Sequence, residues 1–141
     1  MNIVDELVDA IPDDAFAQTL FGVLCQKLGE YSQAINFLAK AVLREPENPR
    51  PLGELGVVYM QMGRLAEAYG ALNKALELDP DNVQHLSNFG TVNLALNRHA
   101  KAAEILEKAV AGKPSDPAAN TNLALAYKQL GRYDEAQALM K

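Results

Sequence analysis

Residues 49–82 read PRPLGELGVVYMQMGRLAEAYGALNKALELDPDN, and this stretch of 34 residues recurs along the chain. A shift by its own length places Pro46, Pro80 and Pro114 in one column. Two further columns hold small residues: Gly22, Gly56 and Gly90, continued by Ala124, and Ala34, Ala68, Ala102 and Ala136. Agreement in several independent columns is the signature of a repeat protein.

Each repeat predicts two short amphipathic helices. In the quoted stretch, apolar residues recur at helical spacing from Leu52 to Tyr59 and again from Leu65 to Leu76. The first helix of each repeat follows a helix-capping residue and ends near a residue that tolerates the left-handed conformation. The capping residues are Asp14, Asn48, Asn82 and Asp116, and the terminating residues are Gly29, Gly63, Asn97 and Gly131.

The columns divide the chain into five segments. Residues 1–14 match the second half of a repeat, residues 15–48, 49–82 and 83–116 are complete repeats, and residues 117–141 are a truncated fourth repeat. Because the first and last segments are incomplete, we expect either a piece of a longer array or ends that are used for assembly.

These columns resemble the tetratricopeptide repeat (TPR) family, and the resemblance covers residues 15–141. The family pattern of a large apolar residue, Gly, Tyr, Ala, Leu, Ala and Pro is met in the second repeat by Leu55, Gly56, Tyr59, Ala68, Leu72, Ala75 and Pro80. The resemblance implies an all-α fold, a right-handed superhelical solenoid of antiparallel helix-turn-helix repeats.

The amino-acid composition excludes some classes of binding partner. The formal net charge is −5 and the sequence pI is about 5.0, which argues against binding to nucleic acid or to an anionic membrane surface. The chain has one cysteine, so an internal disulfide is impossible. Neither a signal peptide nor a bilayer-spanning apolar run is recognisable, so we expect a soluble, cytoplasmic protein without membrane insertion.

No catalytic or metal-binding motif accompanies the repeats, so we expect no enzyme, no cofactor and no metal site. His85 is expected to be solvated near the start of a helix, and His99 is expected to pack between helices. Cys25 lies in the column of Tyr59 and is expected to be a buried, unreactive thiol. Asn93, in the same column, either bonds to a neighbouring backbone group or to His99, or loosens the third repeat.

The family resemblance also implies a concave groove lined by the first helix of each repeat. The residues that it assigns to this groove are Thr19, Val23, Lys27, Arg50, Glu54, Val57, Met60, Gln61, Gln84, Asn88, Thr91, Leu94, Thr121, Asn122, Leu125 and Lys128.

Three properties of this groove bear on the kind of ligand it binds. The positions at which chaperone-binding TPR proteins clamp a carboxylate hold Glu54 and uncharged residues here, so an acidic C-terminal tail is not expected. Asn88 and Asn122 begin a ladder of amides that suits the backbone of an extended peptide. The apolar strip through Val23, Val57 and Leu125 equally suits an amphipathic helix.

The sequence therefore predicts a non-enzymatic protein–protein interaction scaffold that binds a peptide or an amphipathic helix in this groove. Two alternatives stay open. The chain is an assembly module that self-associates through its exposed ends, or it is the targeting segment of a longer enzyme.

Overall fold

The structure is a computed structural model, and it describes residues 13–141. Over that range the chain forms eight α-helices and no strand, which confirms the predicted all-α class. The helices are α1 (Ala15–Lys27), α2 (Tyr31–Arg44), α3 (Pro49–Gln61), α4 (Leu65–Leu78), α5 (Val83–Ala95), α6 (His99–Gly112), α7 (Pro117–Gln129) and α8 (Tyr133–Leu139). The half-repeat predicted for residues 1–14 lies outside the described residues, apart from its last two.

The chain divides into two compact units, and the boundary lies after Leu78. The first unit contains α1 to α4, and the second contains α5 to α8. In the first unit each helix packs against the next, and α3 also contacts α1. In the second unit the order is the same, and α7 also contacts α5. In each unit, the first helices of the two repeats therefore lie side by side.

Side-chain caps start the first helix of every repeat, as the sequence predicted. Asp14 accepts from the backbone N–H of Ala17 at 2.7 Å, and Asn82 accepts from that of His85 at 3.0 Å. Asn48 and Asp116 make the equivalent bonds to Arg50 and Ala118, at 3.1 and 3.2 Å. Each cap satisfies a backbone donor that has no partner within the helix.

The turn between the helices of each repeat contains one residue in the left-handed region. Gly29, Gly63 and Gly131 have φ angles of 78°, 74° and 77°, and Asn97 has a φ of 61°. Asn is one of the few side chains that accept this conformation. The four terminators predicted from the sequence therefore end the four helices for the predicted reason.

The core of the first unit forms where α3 packs onto α1 and α2. Val58 of α3 is fully buried against Cys25, Phe37 and Leu38. Partly buried side chains close the cluster, including Tyr31 from α2. The burial predicted for Cys25 is confirmed, and burial raises the pKa of its thiol, with a smaller contribution from Glu30.

The core of the second unit repeats this arrangement with α7 on α5 and α6. Ala126 and Tyr127 of α7 pack against Ala102, Ala103 and Leu106 of α6. Asn93 is fully buried in this unit, and its Nδ2 donates to the backbone oxygen of Phe89 at 2.8 Å. The amide is thus bonded to a neighbouring backbone group, which was the first of the two predicted arrangements.

Glycine permits the helices of a repeat to cross closely. A Cβ atom built on Gly56 would lie 2.5 Å from Cγ of Leu72, which is itself fully buried. A Cβ atom built on Gly22 would lie 2.5 Å from Cγ of Leu38, and one built on Gly90 would lie 2.4 Å from Cγ of Leu106. Ala replaces Gly at position 124, where the counterpart of these leucines is Met140, 63% exposed beyond the end of α8.

Across residues 13–141, no helix is both long enough and apolar enough to cross a bilayer.

Candidate functional site

The residues that the sequence assigned to a groove fall into two sets, one in each unit. Lys27 and its neighbours on α1 lie beside Glu54 and its neighbours on α3, within the first unit. Asn88 and its neighbours on α5 lie beside Asn122 and its neighbours on α7, within the second unit. We call these two sets of predicted residues the α1/α3 groove and the α5/α7 groove.

A hydrogen bond joins the two walls of the α1/α3 groove. Gln26 Nε2 donates to Gln61 Oε1 at 2.8 Å. Thr19 is buried, and its hydroxyl donates to the backbone oxygen of Ala15 at 2.7 Å. Val23 and Val57 are half-buried. The hydroxyl of Thr19 thus already has an acceptor in its own helix, whereas the two valines offer apolar surface.

Glu54 is the only acidic residue assigned to the groove, and it is half-buried on α3. Burial raises the pKa of its carboxyl, whereas the positive charges of Arg50 and Lys27 oppose that shift. Removing a carboxylate from water is unfavourable unless hydrogen bonds replace the lost hydration. A negatively charged ligand group in this groove would therefore meet an incompletely solvated carboxylate.

A chain of hydrogen bonds organises the α5/α7 groove. Asn122 Nδ2 on α7 donates to Thr91 Oγ1 on α5 at 2.9 Å. The Thr91 hydroxyl in turn donates to the backbone oxygen of Ser87 at 2.9 Å. On α5, Gln84 Nε2 approaches Asn88 Oδ1 at 3.4 Å. The amide of Asn122 is therefore held in one orientation, and its oxygen is directed away from Thr91.

An apolar cavity of about 480 Å³ lies against α7 and α8 in the second unit. Its wall includes three residues of the predicted groove, Thr121, Leu125 and Lys128. It also includes residues that the sequence reasoning did not assign to any site, namely Ala124, Tyr133, Ala136, Gln137 and Met140. Most of these belong to the second helix of the repeat, whereas the family pattern directed attention to first helices only.

His85 differs from its prediction. It is buried near the start of α5, with 8% of its surface exposed, so the prediction of a solvated side chain is wrong. Its Nδ1 has no hydrogen-bond partner among residues 13–141. Burial lowers the pKa of the imidazole, and the Asp79 carboxylate opposes this shift. His99 is half-buried at the start of α6, in line with packing between helices.

The shift at His85 predicts a pH-dependent stability. Below pH about 6.5 the unfolded chain takes up a proton at His85 that the folded chain resists, so the free energy of unfolding should fall as the pH falls. Glu54 acts in the opposite direction, because its raised pKa makes the folded chain the stronger proton acceptor. His85→Gln removes only the first effect, and the variant should therefore lose less stability than the wild type between about pH 7.5 and 5.5.

Urea unfolding of both proteins at the two pH values measures this difference. Equal losses in wild type and variant would contradict the assignment to His85.

In the part of the chain that the structure describes, no group of three or more His, Cys, Asp or Glu side chains could hold a metal ion.

The chain is similar to known proteins in sequence and in fold. The family model described as Tetratricopeptide repeat matches residues 26–88 and 93–141. No curated protein matches the sequence significantly.

Solved structures of similar fold include MamA, with 25% identity, a TM-score of 0.85 and coverage of 96% of this chain and 80% of MamA. The first TPR of Spaghetti (RPAP3) bound to the HSP90 peptide SRMEEVD has 23% identity and a TM-score of 0.81, covering 83% of this chain and 93% of that one. YrrB, described as a TPR protein with an unusual peptide-binding site, has 23% identity and a TM-score of 0.83, covering 98% and 71%.

Proposed function

Because this chain belongs to the tetratricopeptide repeat family, we propose that it is a protein-interaction module that binds a peptide or an amphipathic helix in its grooves. The α5/α7 groove is the principal binding surface. Its polar and apolar side chains are arranged to contact a peptide backbone on one side and apolar side chains on the other.

The orientation of the two asparagines carries this proposal. Asn122 uses one N–H to bind Thr91, which leaves its oxygen as an acceptor and its second N–H as a donor. Asn88 receives the contact from Gln84 on its oxygen, which leaves its own N–H groups as donors. A peptide group carries one N–H and one C=O. The pair can therefore bind a peptide backbone of any sequence through both kinds of hydrogen bond.

Apolar side chains beside the asparagines add a second source of affinity. Leu125 is 44% exposed, and Leu94 is half-buried on the neighbouring helix α5. Apolar residues of a ligand, spaced three or four positions apart on a helix, would bury this surface.

An acidic tail is not the proposed ligand. The structure of RPAP3 holds the peptide SRMEEVD, whose three carboxylic side chains and terminus are anionic. In this chain the α1/α3 groove contains the half-buried Glu54, and the α5/α7 groove presents amides. Glu54 offsets part of the attraction that Arg50 and Lys27 would exert on such a ligand, and the residues of the α5/α7 groove offer it a single cation, Lys128.

A peptide-selection experiment tests the proposal. A phage-displayed library of random 16-residue peptides is selected on the wild-type chain, and the selected peptides are measured by calorimetry against Asn88→Ala, Asn122→Ala. Each lost hydrogen bond is worth about 1 kcal/mol, so we expect about a tenfold loss of affinity or more.

Asn73→Ala is the matched control, because Asn73 is an exposed asparagine on α4 outside the groove. Peptides that bind the double variant as tightly as the wild type would refute the role of the asparagines. Peptides that lose affinity on Asn73→Ala instead would place binding elsewhere.

A further inference from the structure

Among residues 13–141, two apolar faces are exposed, one in each unit. On α1 and its C-cap, four large side chains follow one another at intervals of one helical turn: Phe16 is 68% exposed, Leu20 44%, Leu24 42% and the C-cap residue Leu28 54%. We call this face the α1 stripe. The other face is the cavity against α7 and α8, where Tyr133 is 65% exposed and Met140 63%.

The chain itself shows what kind of element covers the cavity face. Tyr31 and Ala34 of α2 are the counterparts of Tyr133 and Ala136 of α8, 102 residues earlier. In the first unit these two residues belong to the cluster that α3 covers, and Val58 of α3 is fully buried there. A first-type helix of a repeat therefore fits this surface.

The same comparison identifies the α1 stripe as the complementary face. Leu24 is the counterpart of Val58 on α3 and of Ala126 on α7, which lie 34 and 102 residues later. Val58 and Ala126 are both fully buried against the helices before them, whereas Leu24 is 42% exposed. The chain thus has an exposed face of each kind, and it joins faces of these two kinds within each unit.

We propose that a second copy of this chain occupies the cavity face, with its α1 stripe packed against α7 and α8 of the first copy. The contact is head-to-tail, so a dimer retains one free face of each kind and can add further copies. This self-association is a different contact from peptide binding in the α5/α7 groove, although Thr121, Leu125 and Lys128 border both surfaces.

One internal contact predicts which apolar residues would meet. Within the second unit, Thr91 and Asn122 are in direct contact at 2.9 Å. In the proposed interface the counterpart of Thr91 is Leu125, and the counterpart of Asn122 is Leu20 of the second copy. Both leucines are 44% exposed, so a polar pair is replaced by an apolar pair that gains from leaving water.

A second internal contact predicts an unfavourable pair. Gln26 and Gln61 are joined at 2.8 Å in the first unit. Their counterparts across the interface are Lys128 and Lys27 of the second copy, and both lysines are exposed. Exposed lysines bend away from one another into water and are screened by salt. Self-association should therefore strengthen as the salt concentration rises, and Lys27→Glu should strengthen it further at low salt.

Light scattering coupled to size-exclusion chromatography of the full chain tests the proposal. The mass of the wild type should increase with concentration and pass that of a dimer, more so at about 0.5 M than at about 0.05 M NaCl. Leu24→Glu and Tyr133→Glu each place a charge in one of the two faces and should each give a monomer. Both side chains are exposed, so unchanged circular dichroism is expected and excludes unfolding.

Mixing the two variants separates this arrangement from the others. Leu24→Glu retains the cavity face and Tyr133→Glu retains the α1 stripe, so an equimolar mixture should form a dimer and nothing larger. A Tyr133→Glu variant that still associates alone would overturn the proposal in favour of pairing between two α1 stripes. A wild type that stays monomeric at high concentration and high salt would overturn it in favour of faces covered by another protein or by the chain's own residues 1–12.

Discussion

Gly56→Leu is expected to lower the free energy of unfolding by about 3 kcal/mol, because overpacking a well-filled core forces side chains and backbone to move. The space that the new side chain needs is already filled by Leu72, whose Cγ lies 2.5 Å from the position of the first added atom. Leu72 is fully buried and cannot turn away into water. α3 and α4 would therefore have to separate.

Thermal unfolding followed by circular dichroism measures this effect, and a fall in Tm of roughly 10 °C corresponds to it for a domain of this size. Gly70→Ala is the matched control. Gly70 lies within α4, and a Cβ on it meets no atom within 4 Å. Since alanine is the better helix former, this variant should be about 0.5–1 kcal/mol more stable than the wild type. An unchanged Tm in Gly56→Leu would show that α3 and α4 do not cross there.

Leu72→Ala is expected to cost about 2–5 kcal/mol, as the loss of a fully buried leucine does when a cavity remains. The close approach of Gly56 makes a sharper version of this prediction possible. In the wild type, Gly56→Ala should destabilise, because the new Cβ overlaps Leu72. In the Leu72→Ala background the same change should stabilise, because it fills part of the cavity and favours the helix.

Urea unfolding of the wild type, the two single variants and the double variant measures whether the effect of Gly56→Ala on the free energy of unfolding changes sign. Both residues lie in adjacent helices of one repeat, so the two changes must couple. If Gly56→Ala had the same effect in both backgrounds, the contact between position 56 and Leu72 would be excluded as the reason for glycine.

Much of the fold follows from the sequence, because short-range rules decide it. The four capping residues bond as their types require, and Asn97 takes the left-handed conformation in a column otherwise occupied by glycine. The family resemblance is confirmed by the match of the family model to residues 26–88 and 93–141. The chain accordingly has the TPR fold in the range that the structure describes.

The prediction for His85 is wrong, because periodicity within one helix does not reveal the burial of this residue. His85 was assigned to solvent because it is polar and near a helix start. Its column also contains Pro51 and Ala119, both of which are buried. Reading that column across repeats, instead of along one helix, would have indicated a buried position.

For the candidate site too, the sequence predicted residues but not the contacts between them. The sequence placed Asn122 and Thr91 among the groove residues, but it did not predict that they bond to each other at 2.9 Å. The choice of first helices also omitted the part of the cavity wall that α8 supplies. Side-chain partners in neighbouring helices depend on how two repeats pack, and residues 31 positions apart give no local signal of contact.

The contact between glycine and leucine occurs three times with nearly the same geometry, at Gly22, Gly56 and Gly90. Each contact involves only the two helices of its own repeat. A 34-residue block therefore carries its own cap, its own turn and its own crossing, and what it still needs from a neighbour is the cover that α3 gives to α1 and α2 and that α7 gives to α5 and α6. Duplication of a whole block would preserve both kinds of contact, because the inserted block presents the same two faces as the block it follows.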